Sequence, residues 1–224
     1  MKFFQQLFTI FMKDLRLEWR TREAMSAMLL FALLVLVIFN FAFNPDREMV
    51  LAIGPGILWV AFTFAGVLGL NRAFAAEQEN GCLSGVLLTP MDRGGIYLGK
   101  WLANLCFTLV AEAILLPFFV LFFNLTLTTE LPPLLLICLL GTIGFTAVGT
   151  LLAAISANTR LREVMLPVLL FPIIVPVIVG AVESTGLILN HESQGLANFI
   201  RMLVLYDVIF VVTSTLLFDF VLEE

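Results

Sequence analysis

Six stretches of about twenty mostly apolar residues limit what this chain can become. They cover roughly Ala24–Phe43, Met49–Leu70, Trp101–Phe123, Leu134–Ile155, Met165–Val182 and Phe199–Leu222. A helix of about 20 apolar residues crosses the hydrocarbon core of a bilayer. Lipid offers no partner to a free backbone N–H or C=O, so a spanning segment is a helix or a strand of a closed barrel. Barrel strands are about ten residues long and alternate in polarity. These runs are longer and do not alternate. The expected architecture is an all-α polytopic membrane protein, with six transmembrane helices in a single transmembrane domain over residues 1–224. Composition agrees, at 61% hydrophobic and 13% charged, against about 25% charged in soluble domains. Mean hydropathy is +1.05. That excludes an ordinary soluble enzyme and a disordered regulator. The net charge of −5 lacks the basic footprint of a nucleic-acid binder.

Residues 2–20 have a different pattern. Phe4, Leu7, Phe8, Phe11, Leu15 and Trp19 recur at steps of three and four, so they share a helical face. Lys13, Arg16 and Arg20 can reach lipid phosphates. The segment reads as an amphipathic helix lying in the inner membrane interface. Gln5, Gln6, Lys13, Asp14 and Arg16 interrupt it and no small-residue cleavage site follows, so it is expected to be retained. The cysteines, Cys82, Cys106 and Cys138, are odd in number and form no CxxC pattern. No disulfide framework, metal site or covalent haem attachment is expected.

Positive charge orients the chain. Lys2, Lys13, Arg16, Arg20 and Arg22 precede the first span, Arg72, Arg93 and Lys100 follow the second, and Arg160 and Arg162 follow the fourth. The other side holds only Arg47 and Arg201. Both termini are therefore expected in the cytoplasm.

The segment between spans two and three, residues 71–100, is the most informative. Asn71–Asn80 can extend the second helix out of the membrane, and Gly81 can stop it. Cys82–Thr89 then forms a short helix with Leu83, Val86 and Leu87 on one face, ended by Pro90. Those leucines need a cover, and Glu77 and Glu79 nearby disfavour anionic lipid, which points to a soluble partner protein. Gly94 to Lys100 fits the spacing of a phosphate-binding loop. However, Trp101 stands where a magnesium-binding hydroxyl is needed, and no strand precedes it. Gly94 and Gly95 are expected in a turn instead, with Lys100 at the interface. There is no nucleophile–base pair, HExxH or carboxylate cluster, so no catalytic residue is assigned.

The stretch GPGILWVAFTFAGVLGLNRAFAAEQENGCLSGVLLTP resembles the heme exporter protein B (CcmB) family, membrane subunits of the cytochrome c maturation ABC transporter. The features that carry this resemblance are Pro55–Ala61 at the start of the second span, then Arg72, Phe74 and Glu77, then Gly81, Leu83, Leu87, Leu88 and Pro90. Gly99–Lys100, the proline-rich fifth span and the closing FDFVLEE are also similar. The resemblance implies a six-span permease in the bacterial inner membrane, paired with a separate ATP-binding subunit and a second copy of itself. It also implies further cytochrome c maturation membrane subunits, with haem as substrate and ATP bound by the partner. In such permeases the loop after the second span couples to the ATPase. The loop alone is shared with ABC-2 permeases for drugs, lipids or glycans. That alternative stays open, as does a non-transporting scaffold.

Charges at membrane depth are functional candidates by default. Glu112 lies midway along the third span and is expected to face the bundle interior. Asp207 lies in the sixth, six residues beyond Arg201, a spacing that does not pair within a helix. Pro167, Pro172 and Pro176 predict a bent or locally unwound fifth span. Gly149, Ala153 and Ala157 form a small-residue stripe that allows close helix contact. His191, the single histidine, falls in an expected periplasmic loop over 183–198, where a haem-ligand role competes with a merely solvated one.

Overall fold

The computed structural model describes residues 2–79, 93–126, 129–157, 159 and 161–221. They form α1 (Lys2–Thr21), α2 (Glu23–Phe43), α3 (Arg47–Glu79), α4 (Arg93–Phe122), α5 (Leu131–Ala157), α6 (Arg162–Leu189) and α7 (Leu196–Val221). There is no strand among the described residues. The helices α2 to α7 are long and apolar enough to cross a membrane, and each contains one of the six expected runs almost entire.

α1 is separated from α2 by a single residue, Arg22, whose φ of 56° turns the chain sharply. The Glu18 carboxylate accepts a hydrogen bond from the Met25 N–H at 2.9 Å. It thereby satisfies one of the donors left free at the start of α2. Burial raises the Glu18 carboxyl above the usual range, and the N–H groups of Met25 and Ala24 hold it partly back.

Three expectations for the connecting segments need correction. Gly94 and Gly95 are not in a turn: α4 begins at Arg93, so both are helical and buried. The reason lies on α1. A Cβ at Gly95 would meet the Phe3 ring at 3.2 Å, and one at Gly99 would lie 2.9 Å from the Leu7 carbonyl oxygen. These glycines are the seat on which Phe3, Leu7 and Ile10 dock. Lys100 is likewise not an interfacial anchor. It is buried, with its Nζ 3.7 Å from Asp14 of α1. The apolar face of α1 is therefore divided. Leu7 turns toward the bundle, while Phe4, Phe8 and Trp19 stay exposed at 75%, 57% and 77%.

The segment 71–100 is helical on both flanks, at 71–79 and 93–100. Gly81, Leu83, Leu87, Leu88 and Pro90 lie outside the described residues. The expected loop over 183–198 is mostly helix. α6 continues to Leu189 and α7 starts at Leu196, so only Asn190–Gly195 connects them.

α6 runs unbroken through Pro167, Pro172 and Pro176, so the chain is not unwound there. A proline removes one helical hydrogen bond and crowds the turn before it. Next to Pro176, the Ile173 carbonyl accepts a hydrogen bond from the Tyr206 hydroxyl of α7 at 3.0 Å.

α5 lies at the centre, against α4, α6, α7 and α3. Its glycines admit bulky neighbours. A Cβ at Gly141 would sit 2.4 Å from the Trp59 ring, one at Gly149 2.4 Å from Leu70, and one at Gly144 2.6 Å from Asp207. The stripe expected from Gly149, Ala153 and Ala157 is buried within this chain.

Candidate functional site

Glu112 faces the interior, as expected. It is 5% exposed, and both carboxyl oxygens lie within 2.7 and 2.8 Å of the Thr142 hydroxyl on α5. Thr142 also reaches the Cys138 carbonyl at 2.7 Å. Around them, Trp59 and Phe62 of α3, Phe145 of α5 and Val177 of α6 leave a cavity of about 10 Å³. That is at the lower limit for one water molecule. Glu112 thus sits in a closed polar contact between α4 and α5.

The contact belongs to a longer seam. The Tyr97 hydroxyl donates to the Ala147 carbonyl at 2.9 Å, the Trp101 indole N–H to Thr146 at 3.2 Å, and the Asn104 amide to Thr150 at 3.0 Å. Thr142, Thr146 and Thr150 recur every four residues, so one face of α5 presents hydroxyls to α4. Sequence reasoning missed this seam. The signal was in the threonine spacing, but only the partner helix gives it meaning.

Asp207 is also buried, at 6% exposed, against Gly144 of α5. Neither carboxyl oxygen meets a hydrogen-bond partner among the described residues, and no ion pair joins it to Arg201. The neighbouring Tyr206 ring stacks on Phe210, with centroids 4.2 Å apart. The structure does not bring Glu112 and Asp207 into one site: Glu112 bonds across the α4–α5 seam and Asp207 lies between α5 and α7.

At the α1 end of the bundle, Arg72 is exposed, with its guanidinium 3.8 Å from Glu23. It lies just past the apolar run of α3, which ends at Leu70. α3 continues beyond it to Glu79 and carries Phe74 and Glu77.

At the opposite end, the α2–α3, α4–α5 and α6–α7 connections surround a cavity of about 630 Å³. Arg47, Glu130 and His191 line it, together with Val50, Leu51, Phe123 and Leu189. The Nδ1 of His191 lies 3.2 Å from Oε1 of Glu130. These side chains come from connections far apart in sequence, which is why the cavity was not legible in the chain.

The family model for the CcmB protein matches residues 5–221. Several curated proteins named heme exporter protein B are similar to this chain. The Pseudomonas aeruginosa protein is 28% identical over 176 residues, covering 77% of this chain and 78% of the relative. The Paracoccus denitrificans protein is 30% identical over 175 residues, with 78% and 80% covered. The Rhodobacter capsulatus protein is 29% identical over 185 residues, with 83% of each chain covered.

Proposed function

The chain belongs to the CcmB protein family, and from that premise we propose that it is the membrane-spanning subunit of an ABC complex that exports or handles haem for c-type cytochrome biogenesis. It lies in the bacterial inner membrane with both termini in the cytoplasm, because ten of the twelve Lys and Arg fall on the α1 side. It works beside a second copy of itself and other cytochrome c maturation membrane subunits. ATP is bound and hydrolysed by a separate subunit.

One observation carries the coupling mechanism. The apolar run of α3 ends at Leu70, yet the helix runs on to Glu79, directly into the segment that leads to α4. A rigid helix leaving the membrane transmits motion better than a slack loop. A docked ATPase pressing on residues 71–100 would move the ends of α3 and α4 together. Through the α4–α5 seam that motion reaches Glu112 and Thr142 in the middle of the bundle. Arg72, Phe74, Glu77, Gly81, Leu83, Leu87, Leu88 and Pro90 are assigned to coupling. α1, seated on the first turns of α4, braces the same region.

Leu83→Glu combined with Leu87→Glu tests this reading. Burying a charge at an interface anchor costs about 2 kcal/mol, roughly thirtyfold in affinity per site. The variant is expected to lose co-purification of the ATP-binding subunit and ATP-driven cytochrome c assembly, while its helical circular dichroism is unchanged. An intact complex with normal assembly would overturn the coupling assignment.

A further inference from the structure

α1 turns three faces to its surroundings. Phe3, Leu7, Ile10 and Asp14 recur at steps of four and three and meet Gly95, Gly99 and Lys100 of α4. Phe4, Phe8 and Trp19 form a second face and are exposed. Lys13, Arg16 and Arg20 form a third, on which both arginines are exposed. Only the first is seated on α4.

The positions of its two ends decide what covers the aromatic face. At the C-terminal end, Arg22 alone separates α1 from α2, whose apolar run starts at about Ala24. Trp19 therefore stands within two turns of the point where α2 enters the membrane. At the other end, Phe3 and Leu7 rest on Gly95 and Gly99, within two turns of Trp101, where the apolar run of α4 starts. Both ends are pinned at the level where a helix enters the bilayer, so α1 lies along its surface. An aromatic face left free at that level sits among the acyl chains.

The third face selects the headgroup. In sequence the charges over residues 13–23 are nearly balanced, with Lys13, Arg16, Arg20 and Arg22 against Asp14, Glu18 and Glu23. The structure breaks that balance. Asp14 lies 3.0 Å from Lys13 and 3.7 Å from the buried Lys100. Glu18 accepts the Met25 N–H at 2.9 Å, and Glu23 lies 3.8 Å from Arg72. Every acid is engaged elsewhere, and neither Arg16 nor Arg20 has an ion-pair partner among the described residues. The two are neighbours one helical turn apart, beside Trp19. A guanidinium offers a planar fork of donors that matches phosphate oxygens. A zwitterionic headgroup brings its own ammonium next to the phosphate and cancels part of that attraction, whereas a net negative headgroup keeps it whole.

We propose that the Arg16–Arg20 flank of α1, with Phe8 and Trp19 set in the acyl chains, is a binding site for an anionic phospholipid of the leaflet on the α1 side. The site needs neither a transported substrate nor a partner subunit.

The full chain, reconstituted into vesicles of equal phosphatidylcholine and phosphatidylglycerol, tests the site. Bromine is carried on the acyl chains of one lipid or the other, and tryptophan fluorescence is read. Bromine quenches at short range, and subtracting the signal of Trp19→Phe isolates Trp19 from Trp59 and Trp101. Both lipids are expected to quench Trp19, with phosphatidylglycerol enriched about fivefold beside it, the worth of one cation near an anionic surface. Arg16→Gln combined with Arg20→Gln should bring that preference to within about twofold of none, while brominated phosphatidylcholine still quenches. Raising the salt concentration should weaken the wild-type preference, and this measurement decides the matter if the double variant does not reconstitute. Arg201→Gln, which removes a cation from the opposite end of the bundle, should change nothing.

Equal quenching by the two lipids in wild type would overturn the site. So would a preference that survives in the double variant, is indifferent to salt, or is lost equally in Arg201→Gln. Quenching by neither lipid would put water or a protein on the aromatic face, and would overturn it as well.

Discussion

α2 and α5 are similar in bulk composition, with mean hydropathies of 2.6 and 2.2, yet 17% of the first is buried against 72% of the second. α2 carries large aliphatic and aromatic residues and buries only one stripe, Ala24, Met28, Ala32 and Leu36. Leu30, Leu34, Ile38 and Phe41 point outward. α5 carries Gly141, Gly144 and Gly149, which admit neighbours, and Thr142, Thr146 and Thr150, which bond to them or lie within bonding reach. In lipid, apolar surface gains little by leaving apolar surroundings, so helices associate through close packing and hydrogen bonds. The comparison teaches that small and hydroxyl-bearing residues, and not hydropathy, pick out the central helix.

The largest effect should come from spoiling the packing of α5. Gly141→Ala places a methyl against the Trp59 indole, which is itself tied to Thr185 by a hydrogen bond of 3.0 Å. The ring cannot yield freely, so a loss of about 2 kcal/mol is expected, as for other overpacked cores. Unfolding in mixed detergent micelles would measure it, and a neutral result would show that Trp59 has room to move.

Glu112→Ala removes a polar tie between α4 and α5 and should cost about 1 kcal/mol. Glu112→Gln can still bond to Thr142 and should retain most of the stability. Cytochrome c assembly with this second variant sharpens the picture. If assembly fails while the melting curve is unchanged, the carboxyl itself serves transport.

The smallest effect is expected on the outer face of α2. Leu34→Ala should change stability by less than about 0.5 kcal/mol, since the residue is half exposed. A loss well above that, seen only at high protein-to-lipid ratio, would place a second copy against this face.

Much of the fold was legible in the chain because lipid leaves a spanning segment so few choices. Six apolar runs became six helices, and the charged stretch from Lys13 to Glu23 marked α1 as a separate element. The interior position of Glu112 also followed, since a carboxyl facing lipid is too costly. The rest failed for one reason. Gly94 and Gly95 read as a turn because glycine is permissive, but docking of α1 is what holds them in a helix. Lys100 read as an interfacial anchor because nothing local revealed Asp14, 86 positions away. The end of α6 read as a loop because Glu183 and Ser184 broke its apolar pattern, although Ser184 and Thr185 are buried against the bundle.

By itself, then, the sequence determined that this is a six-span helical membrane protein, which side its positive charge lies on, and which family it resembles. Those properties depend on local hydropathy and on short motifs, and both are written along the chain. The tertiary structure alone decided that α5 is central, that Thr142 meets Glu112, that α1 sits on the glycines of α4, and that Glu130 and His191 meet at the rim of a cavity. Each of these pairs residues from separate helices or connections. Their meeting depends on which face each helix turns inward, and that is settled only when all the helices pack at once.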